Sequence, residues 1–585
     1  MSPRSRSRHV TLLAVTAVLA AGCDIGEVPP DAEEVDEEVY QADPAIRPEA
    51  SGTRAAVVAG HPLASAAGAR VLREGGTAAD AVVTMAAILT VVRPHMNNVG
   101  GDGFGLFYDA ETGEVTALNG SGRSPQGLGP EYLAEAADDG EPESMPTHGA
   151  LSVTVPGMVS AWSQALEEHG SLSLAQALEP AVELAAGGFV VSETLAEDLR
   201  NATRNLNEAG QEVYRPGGEP LEPGDVLRSP ALAETLRTLA QEGPSALYGG
   251  SLAESLAGFL QEEGSPMEVA DFAAHEADWA EPATVEFRGR QVHSMPPNSQ
   301  GTAFLQMVGM ADHLDLEAHA GPYAPELIHR LVEAKKLAFA DRARWIADPE
   351  RAEVPLERLL DADYLAERAG QIPDDAAESA EPGFGEALAA GDHGSGAGGD
   401  DDTVYIMAVD EDGNAVSWIQ SIFHSLGSRL LEPETGIVLQ NRGAGFTLEE
   451  GHPNELEPGK RPFHTLLPGM VTDGDGEFVM ALGSPGGDGQ PQSNTQVLIQ
   501  TLVFGLSPQQ AVEAARFRSY EGLELDIEER MPQVTRDALV ERGHEVSAVT
   551  GWTAPFGNQM VIWRQEDGVL RTGADMRREG SARAY

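Results

Sequence analysis

The spacing of apolar residues divides the chain into helical and extended stretches. Ala55–Ala59 reads as a short strand, and His61–Leu72 and Thr77–Val92 carry Ala, Leu and Val at helical intervals, with Thr77 placed as an N-cap. Ala81–Leu89 is apolar nearly all round, the pattern of a helix buried on several sides. Gly105–Tyr108 resumes an extended pattern. Further on, Ser171–Ala186, Pro230–Gln241 and Tyr323–Ile346 predict helices, the second with Ser229 as N-cap and Pro230 in the first turn. Trp279–Met295 reads as two strands joined by Arg288-Gly289-Arg290. Val404–Val409, a turn at Asp412-Gly413-Asn414 and Ala415–Ile419 make a β-hairpin. Phe478–Leu482 is a strand, Gln490–Leu502 and Ser507–Arg516 are helices, and Val546–Val549 and Met560–Trp563 are expected to finish the sheet edges.

Two segments break this pattern. The N-terminus has a basic start (Arg4, Arg6, Arg8), then an apolar Val10–Ala21 too short to span a bilayer as a normal helix. Leu19-Ala20-Ala21-Gly22-Cys23 resembles a bacterial lipobox, which implies a signal peptide over 1–22 and a lipid on Cys23. The other reading is a plain secretory peptide with an incidental cysteine. Residues 23–50, rich in Glu, Asp and Pro, read as a disordered acidic tether. The expected location is therefore outside the cytoplasm, in the periplasm or cell envelope, with the body tethered to a membrane only through the lipid anchor. The second break, 376–402, is rich in Gly, Ala and Asp and is expected to be mobile.

Charge changes the picture further. Thirty-eight basic residues stand against 93 acidic ones, a net −55, so nucleic acid is excluded as a partner on electrostatic grounds. The single cysteine leaves no intramolecular disulfide, and no Cys or His spacing suits a metal; no cofactor is expected. Gly100–Gly105 lacks the Gly-x-Gly-x-x-Gly spacing and follows a helix, so it is read as a tight backbone passage rather than a dinucleotide loop. No Gly-x-Ser-x-Gly elbow is present, which argues against an α/β-type serine hydrolase.

The candidate chemistry lies where the second break meets the hairpin. A polar, Gly-rich segment runs into a buried-looking strand with Thr403 at the junction. Were the chain to cut itself between Asp402 and Thr403, the threonine hydroxyl would become a nucleophile with its own α-amine as base. On spacing alone, a surface linker with Thr403 as an ordinary first strand residue is the better fit.

Several motifs bear on that choice. Thr403-Val404-Tyr405 through Asp412-Gly413-Asn414-Ala415-Val416, followed by Gly427-Ser428, resembles the start of the small subunit in the γ-glutamyltransferase (glutathione hydrolase) family. Asn98–Gly105, Val155–Met158, Pro458–Pro462 and Gly483-Ser484-Pro485-Gly486-Gly487 resemble further signatures of that family, in family order, across roughly residues 52 to 585. The resemblance implies an α+β fold, the four-layer αββα sandwich of N-terminal-nucleophile hydrolases. It implies a large subunit over 51–402, a small subunit over 403–585 and self-cleavage between them. It also implies Thr403 as nucleophile, Gly486 and Gly487 as oxyanion donors and Ser421 as a hydroxyl beside the nucleophile. The substrate would be a γ-glutamyl (glutathione-like) or related acyl amide, and the acceptor water or an amine.

The acyl-binding positions depart from the pattern. Where glutathione-cleaving relatives place an asparagine, an acidic residue and two serines around the glutamyl head, this chain has Phe423, Gly445, and His464 with Thr465. Arg442 fills a site that is usually polar and neutral. Arg123, displaced within its motif, is either a carboxylate clamp or a structural ion-pair residue. These residues suit a carboxylate better than a zwitterionic head, as in the branch of the family that acts as glutaryl or cephalosporin acylases. A catalytically silent binding lipoprotein of the same fold is the remaining alternative.

Overall fold

The computed structural model describes residues 37–136, 142–386 and 402–585. Fourteen strands form two seven-stranded sheets, every neighbouring pair antiparallel. In chain order they are β1 (Ser51–Gly52), β2 (Ala56–Ala59), β3 (Asp102–Tyr108), β4 (Val115–Asn119), β5 (Asp278–Ala280), β6 (Ala283–Phe287), β7 (Arg290–Ser294), β8 (Val404–Val409), β9 (Ala415–Ser421), β10 (Gly469–Thr472), β11 (Phe478–Gly483), β12 (Met560–Arg564), β13 (Leu570–Ala574) and β14 (Ser581–Ala584). One sheet runs β14-β2-β8-β9-β3-β4-β5, the other β1-β13-β12-β11-β10-β7-β6.

Strand alternation sorts the core into three layers. Val404, Ile406 and Ala408 face outward with Trp418, beneath a layer that includes α1 (Pro62–Arg73), α2 (Ala78–Val92), α3 (Met158–His169), α4 (Leu174–Gly187) and α5 (Pro230–Glu242). Tyr405, Met407 and Val409 face inward and meet Met470, Ala481 and Ile562 of the second sheet. The outer face of that sheet is covered by α6 (Gly301–Asp312), α7 (Pro325–Trp345) and α8 (Gly489–Leu502). The architecture is the expected αββα sandwich.

The β8–β9 hairpin keeps full register from Val409↔Ala415 to Val404↔Gln420. At its turn the Asp410 carboxylate accepts the N–H groups of Asp412 and Asn414 and, at 3.0 Å, that of Ala78 in the first turn of α2. A carboxylate there satisfies an otherwise orphaned helix donor. Thr77 caps the same helix in a capping box with Asp80, as its sequence predicts. The Tyr405 phenol crosses the inter-sheet layer. It shares a hydrogen bond with Ser417 Oγ (2.6 Å), donates to the Leu482 carbonyl (2.8 Å) and accepts from the Gly469 N–H (3.1 Å).

Several expectations are corrected. Met560–Arg564 is an interior strand between β13 and β11, and Glu545–Val549 belongs to a separate three-stranded sheet, so neither finishes an edge of the main sheets. Trp279 lies in β5 of the first sheet, whereas the strands on either side of Arg288-Gly289 belong to the second. Ser229 makes no side-chain cap bond to its helix. Residues 37–50, expected to be tether, lie against the body: Arg47 pairs with the buried Glu513 and Glu49 with Arg571. Residues 376–386 are also packed, with the Ala376 N–H donating to the Arg542 carbonyl and Phe384 against Trp345. The signal segment, Cys23 and 387–401 fall outside the described residues. Among the described residues no helix is long and apolar enough to cross a membrane.

Removing the Tyr405 hydroxyl strands a buried amide and a buried carbonyl between the sheets. Tyr405→Phe is expected to destabilise the chain by about 1–3 kcal/mol. A lower urea midpoint at unchanged slope, relative to the parent, is the expected reading.

Candidate active site

The strand ends opposite the hairpin turn gather the predicted residues. Thr403 precedes β8, Ser421 ends β9 and Asp102 begins β3, with Ser421 and Asp102 paired across the ladder. By strand parity Thr403 and Ser421 both point between the sheets, like Tyr405 and Ile419. Asp402 and Thr403 are buried, at 6 % and 3 % exposure. Gly101 is required here because a Cβ would stand 2.2 Å from the Ser421 carbonyl oxygen.

The Asp402–Thr403 peptide is gripped on its acyl side. Ser421 Oγ donates to the Asp402 carbonyl at 2.7 Å and accepts the Phe423 N–H, also at 2.7 Å. The Asp402 N–H donates to the Phe423 carbonyl at 3.0 Å. Phe423 holds this arrangement at φ 78°, a left-handed conformation that is strained for a bulky residue. A hydroxyl directed at a carbonyl oxygen polarises the carbon and stabilises negative charge on that oxygen during attack. The Asp402 carboxylate is held by Arg578 Nη2 at 2.8 Å.

The glycine loop lies over the same end. A Cβ on Gly483 would meet the Tyr405 ring at 2.0 Å, so β11 ends directly against β8, close to Thr403. Gly486 and Gly487 follow at φ 128° and 48°, leading into the N-terminus of α8. Their N–H groups donate to no backbone carbonyl among the described residues. The helix dipole and the free N–H groups together suit an anionic oxygen. Gln300 fixes the loop: its side-chain nitrogen donates to the Gly487 and Thr465 carbonyls (2.9 and 2.7 Å), and its oxygen accepts from Arg342. Arg342 in turn pairs with Asp488.

Arg442, His464 and Thr465 form a second group beside Phe423. The Arg442 guanidinium carbon lies 3.9 Å from the Phe423 ring centre, and Nη1 donates to Thr465 Oγ1 at 3.0 Å. His464 is fully buried, and its Nδ1 accepts the Leu466 N–H, which leaves the proton on Nε2, 3.3 Å from Asp102. Burial and then the Arg442 charge keep this imidazole neutral, far below the usual histidine range. The contact is therefore a hydrogen bond from a neutral ring rather than an ion pair. The Asp102 carboxyl is pushed up to about 6 by burial, against the opposing pull of Arg442 and of the N–H groups of Gln440, Gly157 and Gly122.

Arg123 is placed elsewhere. Its guanidinium pairs with Asp348 and Glu350 and donates to the Gly459 carbonyl, the ion-pair alternative raised by the sequence. Asp102, Gln300, Phe423 as a backbone clamp, and Arg578 had no assigned role in the sequence reading. A carboxylate inside the Gly100–Gly105 run was the available signal for Asp102. Away from this site, His329, Glu333 and His544 bring potential ligand atoms within 4.8 Å of one another. The two imidazoles share a hydrogen bond and Glu333 pairs with Lys336.

Comparison with known proteins gives a consistent picture. The family model described as gamma-glutamyltranspeptidase matches residues 64–585. A glutathione hydrolase-like YwrD proenzyme of Bacillus subtilis is 40 % identical over 552 residues, covering 91 % of this chain and 98 % of the relative. An oxamate amidohydrolase proenzyme of Klebsiella pneumoniae is 36 % identical, covering 91 % and 99 %. Among solved structures, a cephalosporin acylase from Bacillus halodurans superposes with a TM-score of 0.84 at 33 % identity, covering 95 % of this chain and 99 % of its own.

The raised Asp102 carboxyl has a thermodynamic consequence with a definite sign. The folded state holds the proton more tightly than the unfolded one, so the stability contributed by Asp102 is highest below about pH 4 and falls as the pH rises to about 6. Above that window both states are ionised and the cost is constant, about 2–3 kcal/mol. The stability of Asp102→Asn relative to the parent should therefore improve between pH 4 and 6 and then level off, read from urea midpoints across that range.

Proposed function

We propose that this chain, which belongs to the gamma-glutamyltranspeptidase family, is a self-cleaving amide hydrolase whose nucleophile is Thr403. The observation that carries this reading is the 2.7 Å hydrogen bond from Ser421 to the carbonyl of Asp402, the residue directly before Thr403. Thr403 Oγ attacks that carbonyl carbon, and the hydroxyl proton passes to the departing nitrogen. The C–N bond breaks as the ester forms, and water hydrolyses the ester. One water is consumed, leaving a large chain ending at Asp402 and a small chain beginning at Thr403.

The freed amine, with an ordinary α-amino pKa of roughly 8, is matched to take the hydroxyl proton near neutral pH. In turnover Thr403 Oγ adds to a substrate amide, and the oxyanion is received by the N–H groups of Gly486 and Gly487. Such a donor typically contributes about 3 kcal/mol to lowering the barrier. Collapse expels the amine and leaves an acyl group on Thr403, which passes to water or to an amine acceptor.

Relatives named for glutathione, oxamate and cephalosporin match nearly the whole chain, so the acyl preference rests on this chain's own pocket. We assign the acyl head to Arg442 and Thr465 rather than to Arg123, which is engaged with Asp348 and Glu350. A guanidinium lying on an aromatic ring suits a carboxylate, and Gly445 offers no acid to pair a substrate ammonium. The favoured donors are amides of dicarboxylic acids such as glutaryl amides, with γ-glutamyl amides poorer.

Intact mass tests the nucleophile. Wild type should give two chains, the smaller beginning at Thr403, and Thr403→Ala a single folded chain; an uncut, inert wild type would leave a binding protein. On the mature enzyme, glutaryl p-nitroanilide should exceed γ-glutamyl p-nitroanilide in kcat/KM. Arg442→Gln should lower the glutaryl value about 10- to 100-fold, the loss of one charged hydrogen bond of about 1.5–3 kcal/mol. A γ-glutamyl preference would reverse the assignment of the acyl head.

A further inference from the structure

The carboxylate of Asp402 has a partner that neither self-cleavage nor acyl binding has so far required. Asp402 is held at three points: its N–H by the Phe423 carbonyl, its C=O by Ser421, and its carboxylate by Arg578. The first two belong to the β8–β9 hairpin and its immediate continuation and form with it. The third joins residues 176 apart in sequence.

Arg578 is itself fixed by the assembled fold. It lies between β13, in one sheet, and β14, which pairs with β2 in the other. The loop is pinned from below by the buried Arg577, which binds Glu528 and Asp575, with Arg516 also on Asp575. Arg578 Nη1 is 3.5 Å from Asp198, which also meets Arg93 and His95. Two arginines therefore face Asp198, Glu579 and Asp402 in one partly buried cluster. Without the guanidinium, a buried Asp402 carboxylate would stand unpaired beside two other acids. Turning it to water would be favoured, and the carbonyl would swing from Ser421 with it.

We infer that Arg578 is a positioning residue for self-cleavage: by gripping the Asp402 carboxylate it sets the scissile carbonyl against Ser421, so the bond is cut only after the C-terminal strand has closed the two sheets. The inference rests on the self-cleavage reading above and goes beyond it, because it names a control on when the reaction begins. A residue 176 positions downstream of the scissile bond becomes a condition for activating the nucleophile.

The test is the conversion rate of full-length precursor into two chains, followed by intact mass after pulsed expression. Arg578→Gln and Asp402→Asn should each slow conversion at least tenfold. The double variant should be no slower than the slower single one, since both remove the same contact. Arg578→Lys should recover part of the rate. The same substitutions placed on Thr403→Ala should leave the melting temperature within a few degrees, which separates positioning from failure to fold. Cleavage of Arg578→Gln at the wild-type rate would overturn the inference, as would strictly multiplicative slowing in the double variant or a collapse of the melting temperature. An uncut wild type would instead sink the self-cleavage reading itself, so the two failures are distinguishable.

Discussion

The two sheets are tied in one alignment by a buried phenol and the serine beside it. Tyr405 stands in the strand that begins at the candidate nucleophile, and its hydroxyl bonds to β9, β10 and β11 at once. Its ring also excludes any side chain at position 483, which brings the end of β11 directly against β8. The apolar cluster packed around them offers packing without direction. A buried polar group with three partners supplies the direction, and burial holds the phenol protonated by pushing its pKa upward. The geometry of the site is thus inherited from a contact that takes no part in the chemistry.

Legibility in the sequence followed the range of the interactions concerned. The hairpin around Asp412-Gly413, the α2 cap at Thr77 and the strand leading to Gly483 depend on neighbours a few positions away, and period and turn chemistry exposed them. The neighbours of Met560–Arg564 depend on the whole sheet, and a short apolar run is the same at an edge as in the interior. Arg123 and Arg442 illustrate the same limit. Both are arginines near matching motifs, yet one is drawn to the buried Asp348 and the exposed Glu350 and the other to an aromatic face beside Thr465, and nothing local separates those fates. Residues 37–50 read as tether because their composition is acidic and Pro-rich; a few specific contacts, Arg47 on the buried Glu513 and Glu49 on Arg571 among them, outweigh that average.

Electrostatics explain why so acidic a chain keeps its cations where it does. At a net charge of −55 nearly all the cations are arginines, 35 of the 38, and several buried ones are committed to acids: Arg516 and Arg577 to Asp575, Arg578 to Asp402. Asp102 and His464 show the complementary economy: neither is matched by a full opposite charge of its own, so one is pushed up in pKa and the other stays neutral. The pocket wall is polar without being strongly charged, which keeps Arg442 as its dominant field.

The order of strands across the first sheet carries a further consequence. β8 and β9 lie between β2 and β3, and β14 closes over β2, so segments from the two sides of residue 402 alternate through one hydrogen-bonded ladder. A cut at Asp402 would leave that ladder intact while abolishing the covalent link that let the strands find one another. The folded state would then be remembered rather than re-derivable. The two pieces would hold together through a shared core and separate only by global unfolding, and once apart they would meet as a bimolecular search without the loop that guided the precursor. Maturation on this topology trades refoldability for a nucleophile, and durability becomes a matter of unfolding rate rather than of equilibrium.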